Sequence, residues 1–143
     1  MPPEHGPIPG DSVERKVFAE HRRLDALFEE VRDSFRPTGS PEATREALGE
    51  LRAALETHFD QEDRLYYPAI WALRPDLKPE LKSLVDSHAD FLAQFDRMAA
   101  LLERSEGDEA RAVFDHLSAV FERHEGAEEG ILSALDREIR IAR

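Results

Sequence analysis

Apolar residues recur at spacings of three and four along four stretches of this chain, the rhythm of helices that each bury one face. The first stretch runs from about Ser12 to Arg36, with Val17, Leu24, Phe28, Val31 and Phe35 on one stripe. Asp11 is expected to cap it, and Glu14, three residues on, completes a capping box. After the break RPTGS a second helix is expected from Ser40, with Pro41 in its first turn, where a missing N–H does no harm. Its stripe holds Leu48, Leu51, Leu55, Phe59 and Leu65, and Pro68 is expected to kink or end it. The turn RPDLKP leads to a third helix, from about Pro79 to Arg104, burying Leu81, Leu84, Val85, Phe91, Phe95, Met98 and Leu102. SEGD is the last break. The fourth helix spans about Glu109 to Arg140, with Val113, Leu117, Val120, Phe121, Ile131, Leu135 and Ile139. No strand pattern competes.

A chain of 143 residues suits one domain with a single core. Four long helices joined by connections of roughly 3 to 8 residues predict an all-α, antiparallel up-down-up-down four-helix bundle, because short loops make sequential helices neighbours. The expected division is a flexible Pro/Gly-rich tail over residues 1–11 and the bundle over 12–143. Acidic residues outnumber basic ones 31 to 19, for a net charge of −12, which repels phosphate backbones and anionic headgroups and argues against nucleic acid or membrane partners. The chain has no cysteine, so any metal site must use nitrogen and oxygen ligands. The start MPPEHGPIPGDS lacks the basic and apolar stretches of a secretory signal, and no window reaches a transmembrane length; a cytoplasmic location is the default expectation. Oligomeric state is not legible.

The histidines change the picture. Four of the six, His21, His58, His88 and His124, continue the apolar stripe of their own helix, one per helix. Height agrees with direction, since antiparallel neighbours can be counted from their shared turn at about 1.5 Å per residue. His21 lies about 15 residues before the first turn and His58 about 18 after it, Glu62 and His88 about 11 and 9 from the second, and His88 and His124 each about 16 from the third. Glu62 follows His58 by four residues and Glu128 follows His124 by four, so each pair shares a helix face and can chelate one cation. Four imidazoles and two carboxylates divide into two sets of two histidines and one carboxylate, the set that suits non-haem iron with open positions, and carboxylates can bridge. Core histidines satisfied by hydrogen bonds are the competing reading, but four in one layer without partners would cost several kcal/mol.

The segments EHRRLDALF, HFDQEDRLYYP, SHADFLAQF and RHEGAEEGIL together resemble the hemerythrin-like, or HHE cation-binding, family, whose pattern is His, His-x-x-x-Glu, His, His-x-x-x-Glu. The resemblance spans residues 12–140. It implies a centre of two iron ions, oxo- or hydroxo- and carboxylate-bridged, ligated by His21, His58, His88 and His124 with Glu62 and Glu128 bridging, and an open position for dioxygen. Oxygen-carrying hemerythrins have a second histidine four residues after the third-helix one, where this chain has Leu92. That departure argues against simple reversible oxygen carriage. Some hemerythrins place the last carboxylate five residues after the histidine, which would be Glu129; Glu128 is favoured because i+4 turns only about 40° from His124 and i+5 about 140°.

Lesser candidates accompany the set. Asp25, four after His21, could be a ligand but is rather expected in solvent or accepting from an imidazole N–H; Tyr66 or Tyr67 could donate to a bridging carboxylate or bound oxygen species, though aromatic residues at this spacing are usually core; Gly126 and Gly130 could permit close packing or a bulge, or be merely tolerated weak points of the helix. His5 and His116 are expected in solvent. The function expected is binding or sensing of dioxygen, peroxide or nitric oxide, or iron handling. Alternatives are an enzyme turning over peroxide or nitric oxide, an iron donor in iron-centre repair, and a metal-free interaction bundle. Ferritin-like bundles are disfavoured because no histidine has a glutamate three residues before it.

Overall fold

In a computed structural model, which describes the backbone of residues 9–141 and the side chains of 14–138, every extended element is helical. Helix α1 runs Pro9–Ser34 and α2 Pro41–Gln61; a π-helical turn, Glu62–Tyr66, carries α2 into α3, Tyr67–Leu73. A 3₁₀ turn, Pro75–Leu77, precedes α4, Lys78–Glu103, and α5 spans Gly107–Ile141. The long helices close a ring of neighbours: α1 packs on α2, α2 on α4, α4 on α5 and α5 on α1.

Local chemistry sets most boundaries. Ser40 is extended and its hydroxyl accepts from the Ala43 N–H at 3.1 Å, with Pro41 opening the first turn as expected. A side chain at Gly39 would collide with the Ser34 carbonyl, so the α1–α2 break requires glycine there. Ser105, at φ 60°, reverses the chain between α4 and α5, and the Glu106 N–H returns to the Leu101 carbonyl at 2.9 Å. The start of α1 differs from expectation: its backbone is helical from Pro9, so Asp11 lies inside the first turn instead of capping it. The Asp11 and Ile139 side chains, and His5, lie outside the described residues.

Pro68 does not end the helical run, which continues through it to Leu73. It lacks the N–H that would bond one turn back, and its ring crowds the carbonyl four residues before it. Widening the preceding turn relieves both problems: the Tyr67 N–H reaches the Glu62 carbonyl, five residues back, and the helix continues. The extra residue shifts the buried stripe. Glu62, Tyr66 and Tyr67 face inward, and Leu65, expected in the core, is 61% exposed. Val85, also expected inside, lies at the surface.

The core is divided in two. One cluster holds Leu24, Phe28, Leu51, Leu55, Phe59, Phe91, Phe95, Met98, Phe114 and Phe121 among others; the second holds Val17, Tyr66, Tyr67, Ile70, Leu81, Leu84, Leu132 and Leu135. Buried polar residues lie against both: Tyr67 and Phe59 each face His88, with ring centroids 5.8 and 4.0 Å away. The altered stripe is testable by chemical denaturation: Leu55→Ala should lose about 2–5 kcal/mol of stability, and Leu65→Gln less than about 0.5 kcal/mol. Comparable losses at the two positions would contradict the π turn.

Candidate metal centre

All six residues of the expected set are buried in one layer: His21, His58, Glu62, His88, His124 and Glu128. The i, i+4 relation brings Glu62 under His58 and Glu128 under His124, and ring closure brings the four helices' contributions together. Nitrogen and oxygen atoms of His21, His58, Glu62 and Glu128 all lie within 4.8 Å of one another, and so do those of Glu62, His88, His124 and Glu128. Both carboxylates belong to both groups.

The contacts show how the sharing works. His58 Nε2 lies 3.1 Å from Glu62 Oε2, and His88 Nε2 lies 3.1 Å from Glu62 Oε1. His21 Nε2 lies 3.0 Å from Glu128 Oε1, and His124 Nε2 3.4 Å from Glu128 Oε2. Each glutamate therefore spans two histidines from different helices, and every inner nitrogen is Nε2.

The outer nitrogens explain that uniformity. His21 Nδ1 bonds Glu129 at 2.7 Å, His58 Nδ1 bonds Glu20 at 2.5 Å, His88 Nδ1 bonds Asp63 at 3.0 Å and His124 Nδ1 bonds Ser87 at 3.1 Å. Ser87 donates its own hydroxyl hydrogen to the Leu84 carbonyl at 2.7 Å, so toward His124 it accepts. With carboxylates or that oxygen outside, each Nδ1 is the donor, and a neutral imidazole then points its Nε2 lone pair inward. The supports run in a circle: α1 holds the α2 histidine, the π turn holds that of α4, α4 that of α5, and α5 that of α1.

Sequence reasoning missed these four partners, although a signal was present. Glu20 precedes His21, Asp63 follows Glu62, Ser87 precedes His88 and Glu129 follows Glu128. A residue one step from an inward-facing one points about 100° away, toward the outer side of the next helix's histidine. Asp25 does not serve His21; it is exposed and hydrogen-bonds Glu125, and Glu129 takes the role expected of it. Gly126 and Gly130 have open space where a side chain would be, so they permit neither a close approach nor a bulge, and α5 runs through them unbroken. His116 is exposed, as expected. Leu92 is partly buried against the phenylalanine-rich cluster.

Electrostatics mark the layer as unusual. Burial and the neighbouring Glu128 push Glu62 up to about 8, whereas Glu128, despite burial, is held well below the ordinary carboxylate range by the Glu62, His124 and His21 side chains beside it. Burial works against charge on His58, but Glu20 and Glu62 outweigh it and raise the group to about 10. Tyr67 is raised by burial and by the carboxylates of Glu128 and Glu62, so its phenol stays neutral and donates to Glu128 through a short hydrogen bond. Tyr66 donates to Glu20 at 3.2 Å.

Nε2 of His58, His88 and His124 and both carboxylate oxygens of Glu62 are buried without a hydrogen-bond partner. Leaving such groups bare costs about 1–3 kcal/mol each, and they converge, so a cation among them, displacing the proton that His58 otherwise keeps, would satisfy all at once. The donor set, imidazole nitrogen and carboxylate oxygen, suits a transition-metal cation.

Residues 13–135 match the Hemerythrin HHE cation binding domain family. The chain belongs to that family. No curated protein and no solved structure matches it. The hemerythrin-like domain binds metal cations, and the two overlapping groups are residues of this chain that could hold them. No helix among the described residues is long and apolar enough to cross a membrane.

The Tyr67 bond can be tested apart from metal. In the presence of a chelator, Tyr67→Phe should lower unfolding free energy by about 1.5–3 kcal/mol, because a buried carboxylate loses its donor, and Tyr66→Phe by less, because Glu20 is nearer solvent. Equal losses in chemical denaturation would count against the assignment.

Proposed function

We propose that this chain is a non-haem di-iron hemerythrin-like protein, an antiparallel up-down-up-down bundle that binds or senses dioxygen or a related small ligand. The single observation that carries the reading is the sharing of Glu62 and Glu128 between two groups, each with two inward Nε2 atoms. His21 and His58 would hold one iron, His88 and His124 the other, and both carboxylates would bridge. Short connections between packed helices support the antiparallel arrangement. A pair of iron ions supplies electrons for binding and activating dioxygen, peroxide or nitric oxide, as the family resemblance implies.

The protein's part is to orient and to exclude water. The outer partners fix each imidazole with Nε2 inward, which preorganises the ring nitrogens before any cation arrives. A cavity of about 10 Å³ adjoins Glu62 and Glu128, walled by Val17, Ile70, Leu81, Leu84 and Leu132. That is close to the space for one water-sized molecule, in apolar surroundings, which favours a small uncharged ligand over a bulky or charged substrate. Tyr67 opens onto the same space, with its neutral hydroxyl at Glu128. Dioxygen fits these limits better than any organic substrate, which supports binding or sensing above turnover of larger molecules.

Metal analysis after iron-replete expression should give two irons per chain, with an optical spectrum that changes on exposure of the reduced protein to air. Fewer than one iron per chain, or a spectrum indifferent to air, would sink the reading. His58→Ala and Glu128→Ala should each lose metal, and His116→Ala should retain it. Asp63→Asn removes the carboxylate that His88 leans on; a chelator competition should show affinity lower by about 10- to 100-fold.

A further inference from the structure

Between α3 and α4 the surface departs from its acidic, charged character. A cleft of about 200 Å³ opens there, walled by Trp71, Pro68, Leu81 and Val85, with Lys78 and Lys82 beside it. The chain has a net charge of −12 and only three lysines, and two of them stand at this cleft. Its single tryptophan stands there as well, 47% exposed. Of the four large apolar side chains that the described residues leave at the surface, two, Trp71 and Val85, line the cleft.

The charged groups are placed to receive an anion. No carboxylate among the described residues pairs with Lys78, whose Nζ rests 5.5 Å from the centre of the Trp71 ring. Lys82 pairs with Asp86 at 2.8 Å, but both side chains are exposed, so water screens the pair and a stronger anion displaces Asp86 at little cost. The carboxylate in the cleft wall, Asp63, is turned to His88 Nδ1 at 3.0 Å. Other clefts lack this combination. In the α2–α4 cleft Arg45 donates to the Leu102 carbonyl and Arg52 pairs with Glu56 and Asp96, and the α1–α5 cleft is lined by carboxylates.

Lys78 and Lys82 are four residues apart, so both ammonium groups stand on one side of α4, next to the aromatic wall. Two cations match the double charge of a phosphate monoester better than the single charge of a carboxylate. The volume is below the roughly 300–1,000 Å³ of sites that enclose a whole drug-sized ligand, so the cleft takes a ring and leaves the rest of the ligand at its rim. We propose that the α3–α4 cleft binds a planar aromatic phosphate, its ring laid against Trp71, Pro68 and Val85 and its phosphate held by Lys78 and Lys82. Binding makes no covalent bond and needs no metal in the centre, so it stands or falls apart from the reading of that centre.

The test titrates the full chain, treated with a chelator, with flavin mononucleotide. Quenching of the flavin fluorescence reports stacking, and equilibrium dialysis gives the number bound. Binding should saturate at one per chain below about 1 mM, and riboflavin, the same ring without the phosphate, should bind about tenfold more weakly. Trp71→Leu should weaken flavin mononucleotide about tenfold, and Trp71→Phe, which keeps a ring, by less. Lys78→Gln with Lys82→Gln should weaken it about tenfold and leave riboflavin within about twofold. A control, Arg97→Gln with Arg111→Gln, makes the same charge change at exposed positions away from the cleft and should bind within about twofold of the unaltered chain. Absence of saturation by 1 mM would overturn the inference, as would full binding by Trp71→Leu. So would equal weakening of riboflavin by the lysine substitutions, which would assign their effect to the shape of the cleft, or equal weakening in the control, which would assign it to net charge.

Discussion

Two carboxylates share the interior of this bundle, and the rest of the structure answers to that fact. Glu62 and Glu128 are 1% and 3% exposed, and like charges this close and this dry cannot both ionise without compensation. The structure splits them, one raised and one depressed, and surrounds the pair with four imidazoles, each of which reaches a carboxylate oxygen through Nε2. An imidazole helps only in the right orientation, and orientation comes from the outer bonds at Nδ1. Because each outer bond crosses to the next helix around the ring, the order of the helices and the geometry of the layer form one constraint. Helices packed in a different order would leave Glu20, Asp63, Ser87 and Glu129 facing the wrong neighbours.

That coupling explains what was legible in the sequence. Helical phase is a local property, so the stripes located His21, His58, His88 and His124 on inward faces, and i+4 spacing selected Glu128 over Glu129. Counting from the turns correctly put them at one level, because straight helices rise uniformly and the breaks between them are short. The outer partners were not legible in the same way. Glu20 and Asp63 look like two more members of an acidic surface, and only knowledge of which helix stands beside which reveals that they touch histidines. Asp25 is instructive: its i+4 spacing from His21 allowed a partner's role, but the donor on His21 faces α5, where Glu129 stands, and Asp25 takes the exposed place that was its other expected one.

The π turn shows a second limit of period-based reasoning. A reading that holds 100° per residue through Pro68 puts Leu65 inside and leaves the tyrosines undecided. One residue added to the turn rotates everything after it, so Leu65 emerges and Tyr66 and Tyr67 enter. The same irregularity aligns Tyr67 with Glu62, five residues apart on the widened turn, which brings a phenol into a layer otherwise made of imidazoles and carboxylates. Proline, which a sequence reading treats as an interruption, here stands directly after the turn that completes the layer.

Tyr67 also bears on the missing fifth histidine. An imidazole at position 92 would be one more lone pair from the third long helix; the leucine there packs against phenylalanines and contributes only volume. The polar group that the chain does place beside Glu128 is a hydroxyl with its proton held firmly, since burial and two carboxylates oppose its loss. A lone pair can occupy a cation's coordination position, whereas a neutral phenol hydroxyl offers a hydrogen bond. The balance at this centre is thereby moved from one more nitrogen donor toward a hydrogen-bond donor that holds Glu128 in place beside a small apolar cavity.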